Sequence, residues 1–204
     1  MRDTSSRGTM VHPAGVGVTW MQVRDAAVCA VRRGWPVVPG TCRRDELGFP
    51  ELCPLEDSWD LTPITDPKQA ADLWTRLRPA GVLRVCGRGI DALEAPSRVT
   101  SVLPTLAQRG LRVPIATALP PSRWLLLVTT GSGRLRPDLA AASVRLHSIG
   151  EWAELPPTTL EGYSPLQWAT TPPEDRHVCL PDADTVQQVL AEALHAGRPP
   201  ARRS

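Results

Sequence analysis

Lysine is almost missing from this 204-residue chain: Lys68 stands alone, so nearly all positive charge is arginine. A GC-rich coding sequence accounts for that bias, although arginine is also the better residue where a rigid fork must meet phosphate. Tyrosine and phenylalanine occur once each, which leaves seven tryptophans as almost the whole aromatic content. No apolar run approaches the length that crosses a bilayer, which excludes a membrane-spanning helix. Met1 to Trp20 has no apolar core behind a basic start, which excludes a secretory signal. That stretch reads as a disordered leader, with Met10 and Met21 as alternative starts. Cys29, Cys42, Cys53, Cys86 and Cys179 are scattered without a C-x-x-C pair, and no histidine stands at finger-like spacing from them. Reduced thiols in a cytoplasmic protein are expected, with Cys42, Cys53 and a distant histidine as the one zinc combination to consider. No internal repeat is present. The net charge of +2 is too small to argue for a nucleic-acid partner by itself.

Helices and strands are both present. Val23 to Arg33 has Val23, Ala27, Ala30 and Val31 on one helical face and ends at Gly34. Trp35 to Pro39 is a short strand, followed by a long irregular segment from Gly40 to Thr62. Asp66-Pro67 starts a helix carrying Ala70, Ala71, Trp74 and Leu77 inward. Strands follow at Val82–Cys86 and Ile90–Leu93, joined through Gly87-Arg88-Gly89, and Ser97 is the expected cap of a helix reaching Arg109. Ile115–Ala118 and Trp124–Thr130 are strands, the second central because its apolar run is unbroken. Val144–His147, Glu151–Leu155 and Gln167–Thr170 are three more, and Asp184 is the expected cap of a last amphipathic helix ending at Gly197. Without strict alternation of strand and helix, the pattern favours an α+β sheet domain. The expected organisation is a leader at 1–21, one domain at 22–196 and a basic, solvated tail at 197–204.

In that order of elements the chain resembles the bifunctional DNA primase/polymerase domain. Arg33-Gly34-Trp35-Pro36-Val37-Val38-Pro39 is similar to the family's helix-to-strand opening, and Thr65-Asp66-Pro67 with Trp74 resembles its capped helix with an inward tryptophan. Val82–Gly87 running into Gly89–Glu94 matches its glycine-ended strand and acidic strand. Pro156-Pro157-Thr158, Gly162 and Gln167-Trp168 look like its late turn and tryptophan strand. The likeness covers roughly Ala26 to Pro173 and looks closest to short actinobacterial members. It implies an archaeo-eukaryotic primase-like mixed sheet with flanking helices. The implied activity is template-directed nucleotidyl transfer in DNA replication, using Mg²⁺ or Mn²⁺ if active and no cofactor otherwise.

Such chemistry needs carboxylates that converge on divalent cations, and on a strand convergence means a spacing of two. The family motif is Asp-x-Asp or Asp-x-Glu, then Ser-x-His, then a further acid. In this chain Asp91 and Glu94 are the candidate catalytic and metal-binding pair, yet they stand three apart and point to opposite faces of a regular strand. A one-residue bulge is needed to unite them; otherwise Asp91 is a surface residue at the strand end and Glu94 begins the turn. Ser122 matches its motif position, Trp124 stands where histidine is expected, and Arg123 is a phosphate-contact candidate, as are Arg43 and Arg44. His147 and His177 are the remaining proton-transfer candidates. Glu151 and Glu154 are alternatives for the late acid. The glycine loops Gly87–Gly89 and Gly131–Gly133 lack the full dinucleotide and P-loop signatures and read as turns. Trp35, Trp74 and Trp168 fit the core, leaving Trp20, Trp59 and Trp152 for base stacking.

The expectation is therefore a cytoplasmic primase/polymerase-like domain with a degenerate carboxylate motif. Two alternatives stay open: an active enzyme using Asp91, Glu94 and Glu151 or Glu154, and a non-catalytic module binding nucleic acid or a protein partner. DNA, a nucleotide or a replication protein are the expected partners, and a membrane is not.

Overall fold

The computed structural model describes residues 18–46, 48, 50–78, 80–97, 102–118, 123–160, 163–173 and 179–196. Most of the expected leader and all of the expected tail lie outside this set. Helix α1 spans Trp20–Arg32. It begins before its apolar periodicity does, because Thr19 and Gln22 form a reciprocal capping box. Gln22 N donates to Thr19 Oγ1 at 3.3 Å, and Thr19 N donates to Gln22 Oε1 at 2.8 Å. Ala27, Ala30 and Val31 are its buried face.

Strands β1 (Val37–Arg44) and β2 (Pro50–Pro54) form an antiparallel hairpin, with Cys42 opposite Leu52 and Arg44 opposite Pro50. The irregular segment expected after Pro39 is thus half strand. Two prolines suggested a loop there, but β2 is an edge strand, where an absent N–H costs no ladder bond. Helix α2 (Pro67–Arg76) starts at the Asp66 cap, whose side chain accepts from Gln69 N at 2.7 Å, and buries Trp74. Strand β3 (Gly81–Val85) pairs with β1 and is buried at every position. It includes Arg84, whose Nη1 donates to Pro36 O at 3.2 Å and Nη2 to Arg88 O at 3.4 Å. Burial pulls the pKa of Arg84 down to about 10.

The turn Gly87–Gly89 carries the chain into a second sheet through β4 (Ile90–Pro96). Helix α3 is short, Leu103–Gln108, and follows Val102 with no side-chain cap; the expected cap, Ser97, comes directly after β4. Strands β5 (Ile115–Ala118) and β6 (Arg123–Thr129) follow, then a helix α4 (Pro137–Ala141) that apolar periodicity is too short to reveal. Strand β7 (Arg145–His147) is an edge of the second sheet, whereas β8 (Trp152–Leu155) returns to the first. Strand β9 (Trp168–Thr170) closes the second sheet and helix α5 (Ala183–Ala196) follows. The α5 cap is Asp182, which accepts from Thr185 N at 3.0 Å; Asp184 turns to Ser132 instead.

The architecture is α+β, with five helices among the described residues. In place of the expected mixed sheet there are two antiparallel ones, ordered β2-β1-β3-β8 and β7-β4-β6-β5-β9. Strand β6 is central in the second, as its unbroken apolar run indicates. A shared core joins Val37, Val82, Ala153 and Leu155 of the first sheet to Ala92, Ala116, Leu125 and Leu127 of the second, with Ala27 and Trp74 from the helices. Helices α3, α4 and α5 cover the other face of the five-stranded sheet through Leu106, Leu139 and Leu190. The far side of the four-stranded sheet packs Val38, Leu83 and Val85 under Leu160, Trp59 and Trp152.

Candidate functional site

Side-chain alternation on β4 sends Ile90 and Ala92 into the shared core and Leu93 and Ala95 under the helices. Glu94 continues the first row and Asp91 the second. The register with β6 runs from Ile90↔Thr129 to Pro96↔Arg123 without interruption, so no bulge unites the two carboxylates. They stand on opposite faces.

Asp91 is not a surface residue; it is fully buried. Its Oδ1 accepts from Gly87 N at 2.9 Å and Thr130 Oγ1 at 3.1 Å, and its Oδ2 accepts from Ser148 Oγ at 3.1 Å. The carboxylate thereby ties three turns at one end of the sheet.

Glu94 does not begin a turn. It sits inside β4 and lines a cavity of about 700 Å³ to which both sheets contribute residues. Its register partners are Leu125 on β6 and Arg145 on β7, so Arg123 and His147, two positions along those strands, share its face. Arg123 Nε donates to Glu94 Oε1, and its Nη2 reaches Glu94 O at 3.2 Å and Ser143 O at 2.9 Å. His147 Nε2 lies 2.8 Å from Glu94 Oε2, and Arg145 Nη1 lies 3.9 Å from the same oxygen. Burial pushes the Glu94 carboxyl up, but the His147 hydrogen bond and the Arg123 charge outweigh it and hold the pKa below the usual glutamate value. Trp124, at the expected histidine position, packs under the helices on the opposite face.

The rest of the lining includes residues of the four-stranded sheet and its flank: Glu51, Trp152, Glu154 and Tyr163, together with Glu151. Glu151 and Glu154 both reach this cavity, although only Glu154 lies within β8. Glu151 Oε2 accepts from Ser148 N at 3.1 Å and lies 4.0 Å from His147 Nδ1. Glu154 accepts no side-chain hydrogen bond from the described residues, and burial pushes its carboxyl above the usual glutamate value. The other candidates lie elsewhere. Arg43 is exposed, 4.0 Å from Asp57, and Arg44 Nη1 donates to Gly48 O at 2.9 Å. Ser122, His177 and Gly162 are outside the described residues. Among those residues no group of three or more His, Cys, Asp or Glu side chains is placed to hold a metal ion, Cys42 and Cys53 included.

The glycine loops are turns, each with an amide spent internally. Gly87 N serves Asp91, and Ser132 N donates to Asp184 Oδ2 at 2.9 Å. Trp35 and Trp74 are buried, and Trp168 packs against the shared core. Trp20 is stacked under the Arg78 guanidinium at 3.6 Å, while Trp59 and Trp152 meet edge to face with centroids 5.4 Å apart. All three are half-buried, and Trp152 alone lines the cavity. Sequence reasoning missed Arg145, Glu51 and Tyr163. A spacing of two back from His147 points to Arg145; nothing local points to the others.

The two glutamates predict opposite responses to acid. Glu154 binds its proton more tightly folded than unfolded, which favours folding in acid and costs stability as pH rises through the folded pKa. Glu154→Gln should therefore raise the urea midpoint at pH 7, with the gain vanishing below about pH 4. Glu94, with its folded pKa lowered, contributes stability above the ordinary glutamate value and loses it as pH falls through the folded one. Glu94→Gln should lower the midpoint at pH 7 and converge with wild type in acid. A Glu154→Gln protein less stable than wild type at pH 7 would contradict this assignment.

A family model described as bifunctional DNA primase/polymerase, N-terminal, matches residues 26–183. No curated protein matches the chain.

Proposed function

This chain belongs to the bifunctional DNA primase/polymerase family, and we propose that it is a member of archaeo-eukaryotic primase type whose nucleotidyl-transfer centre is degenerate. On this reading it acts in DNA replication as a non-catalytic domain that binds DNA or nucleotide. One observation carries the proposal: Asp91 and Glu94 stand on opposite faces of β4, with both oxygens of each already engaged. Two-metal transfer needs oxygen ligands from several side chains around one point, because the metals bridge the attacking and leaving oxygens. The residues of β4 do not fit that requirement, so Mg²⁺ or Mn²⁺ has no part in the proposed activity.

A second reading has one observation in its favour: Glu94, Glu151 and Glu154 all line the same cavity. It makes the chain an active polymerase that draws its ligands from both sheets. Primer synthesis and extension on single-stranded DNA with Mg²⁺ or Mn²⁺ separates the two. The degenerate centre predicts no template-dependent product from the folded protein, together with salt-dependent DNA or nucleotide binding. Product that disappears in Glu94→Ala would establish the active enzyme instead.

A further inference from the structure

We infer that Arg123 and Arg145, with His147, replace a divalent cation at Glu94, so that the carboxylate is compensated from within the protein and closed to metal. The inference rests on family membership but not on the absence of polymerisation. A carboxylate facing a cavity binds a divalent ion when its oxygens are free and the local charge is negative. At Glu94 neither condition holds. Oε1 is taken by Arg123 Nε and Oε2 by His147 Nε2, while Arg145 adds a second positive charge 3.9 Å from Oε2.

Arg123 is not free to swing aside. Its Nη2 is anchored on Glu94 O and Ser143 O, and its side chain is only 19% exposed. The cations also come from the two strands that flank β4, and their alternation aims them all at one carboxylate. One fixed guanidinium group at the margin of the cavity, with the more exposed Arg145 beside it, repels an incoming divalent ion. The arrangement supplies the charge neutralisation of a metal without its open coordination positions, and so without its Lewis acidity.

The test is Mn²⁺ alone, titrated into the full chain and followed by the electron paramagnetic resonance signal of the free ion. Wild type should leave that signal unchanged at millimolar Mn²⁺. Arg123→Gln should bind Mn²⁺ at least about tenfold more tightly than wild type, and adding Glu94→Gln should abolish the gain. Arg123→Lys, which keeps the charge, should behave as wild type. Mn²⁺ binding by wild type that is lost in Glu94→Gln overturns the inference, as does a folded Arg123→Gln that gains none. Should Arg123→Gln fail to fold, a double-mutant cycle between Glu94→Gln and Arg145→Gln on the urea midpoint takes its place, because Arg145 is exposed and its replacement removes the second positive charge. Strong coupling supports internal compensation, and additive effects overturn it. Primer extension, measured separately, reports on the proposed function whatever the metal result.

Discussion

Asp91→Ala is expected to cost about 3–5 kcal/mol of folding stability, because a buried carboxylate bound by three donors is removed and the donors stay behind. The lost partners are Gly87 N, Thr130 Oγ1 and Ser148 Oγ, each within 3.1 Å. They belong to the turn before β4, the end of β6 and the loop between β7 and β8, so three connections loosen together. A domain of this size has a total stability of about 5–15 kcal/mol, and the loss should be plain in a urea titration followed by tryptophan fluorescence. Asp91→Asn keeps one accepting oxygen for Gly87 N and Thr130 and can donate to Ser148, so it should cost about 1–2 kcal/mol. This distinguishes a structural carboxylate from a catalytic one. A catalytic residue would leave the urea midpoint near wild type when replaced by alanine, and that result would end the structural assignment of Asp91.

The second large effect lies at the other end of the same hydrogen bond. Gly87 has φ +77, a left-handed conformation, and a Cβ built there falls 2.5 Å from Ile149 Cα. Gly87→Ala therefore combines backbone strain of about 1–2 kcal/mol with a collision against main chain, which cannot rotate out of the way. A total of about 3 kcal/mol or more is expected, with some displacement of the Ser148–Gly150 turn. Gly89 is the internal control. It has φ +80 but nothing within 4 Å of its Cβ position, so Gly89→Ala should cost only about 1 kcal/mol. Equal midpoints for the two variants would mean that the contact with Ile149 does not constrain the junction between the sheets.

Much of the architecture was legible because local rules and tertiary packing agree. The α2 cap at Asp66, the inward Trp74, strand β5 and the central position of β6 follow from capping preference, helical spacing and an unbroken apolar run. The family likeness was legible for the same reason, since its motifs are local turns and caps. Failures cluster where a residue's role is set by a partner distant in sequence. The β1–β2 hairpin looked like a loop because Pro50 and Pro54 are tolerated only by virtue of an edge position. Asp184 looked like the α5 cap, but its carboxylate is held by Ser132, 52 residues away.

By itself the sequence determined the α+β class, the family and the spacing that keeps Asp91 and Glu94 apart, because alternation along a strand is a property of the covalent backbone. It could not determine what each carboxylate meets. That Asp91 is buried under three donors follows from strands that place Thr130 and Ser148 beside it. That Glu94 is compensated by Arg123, Arg145 and His147 follows from the registers of β6 and β7 against β4. Register and sheet membership are fixed by the whole core at once, and they put β7 and β8, neighbours in sequence, into different sheets that both contribute to one cavity. Only the tertiary structure turned separated charges into an internally neutralised site.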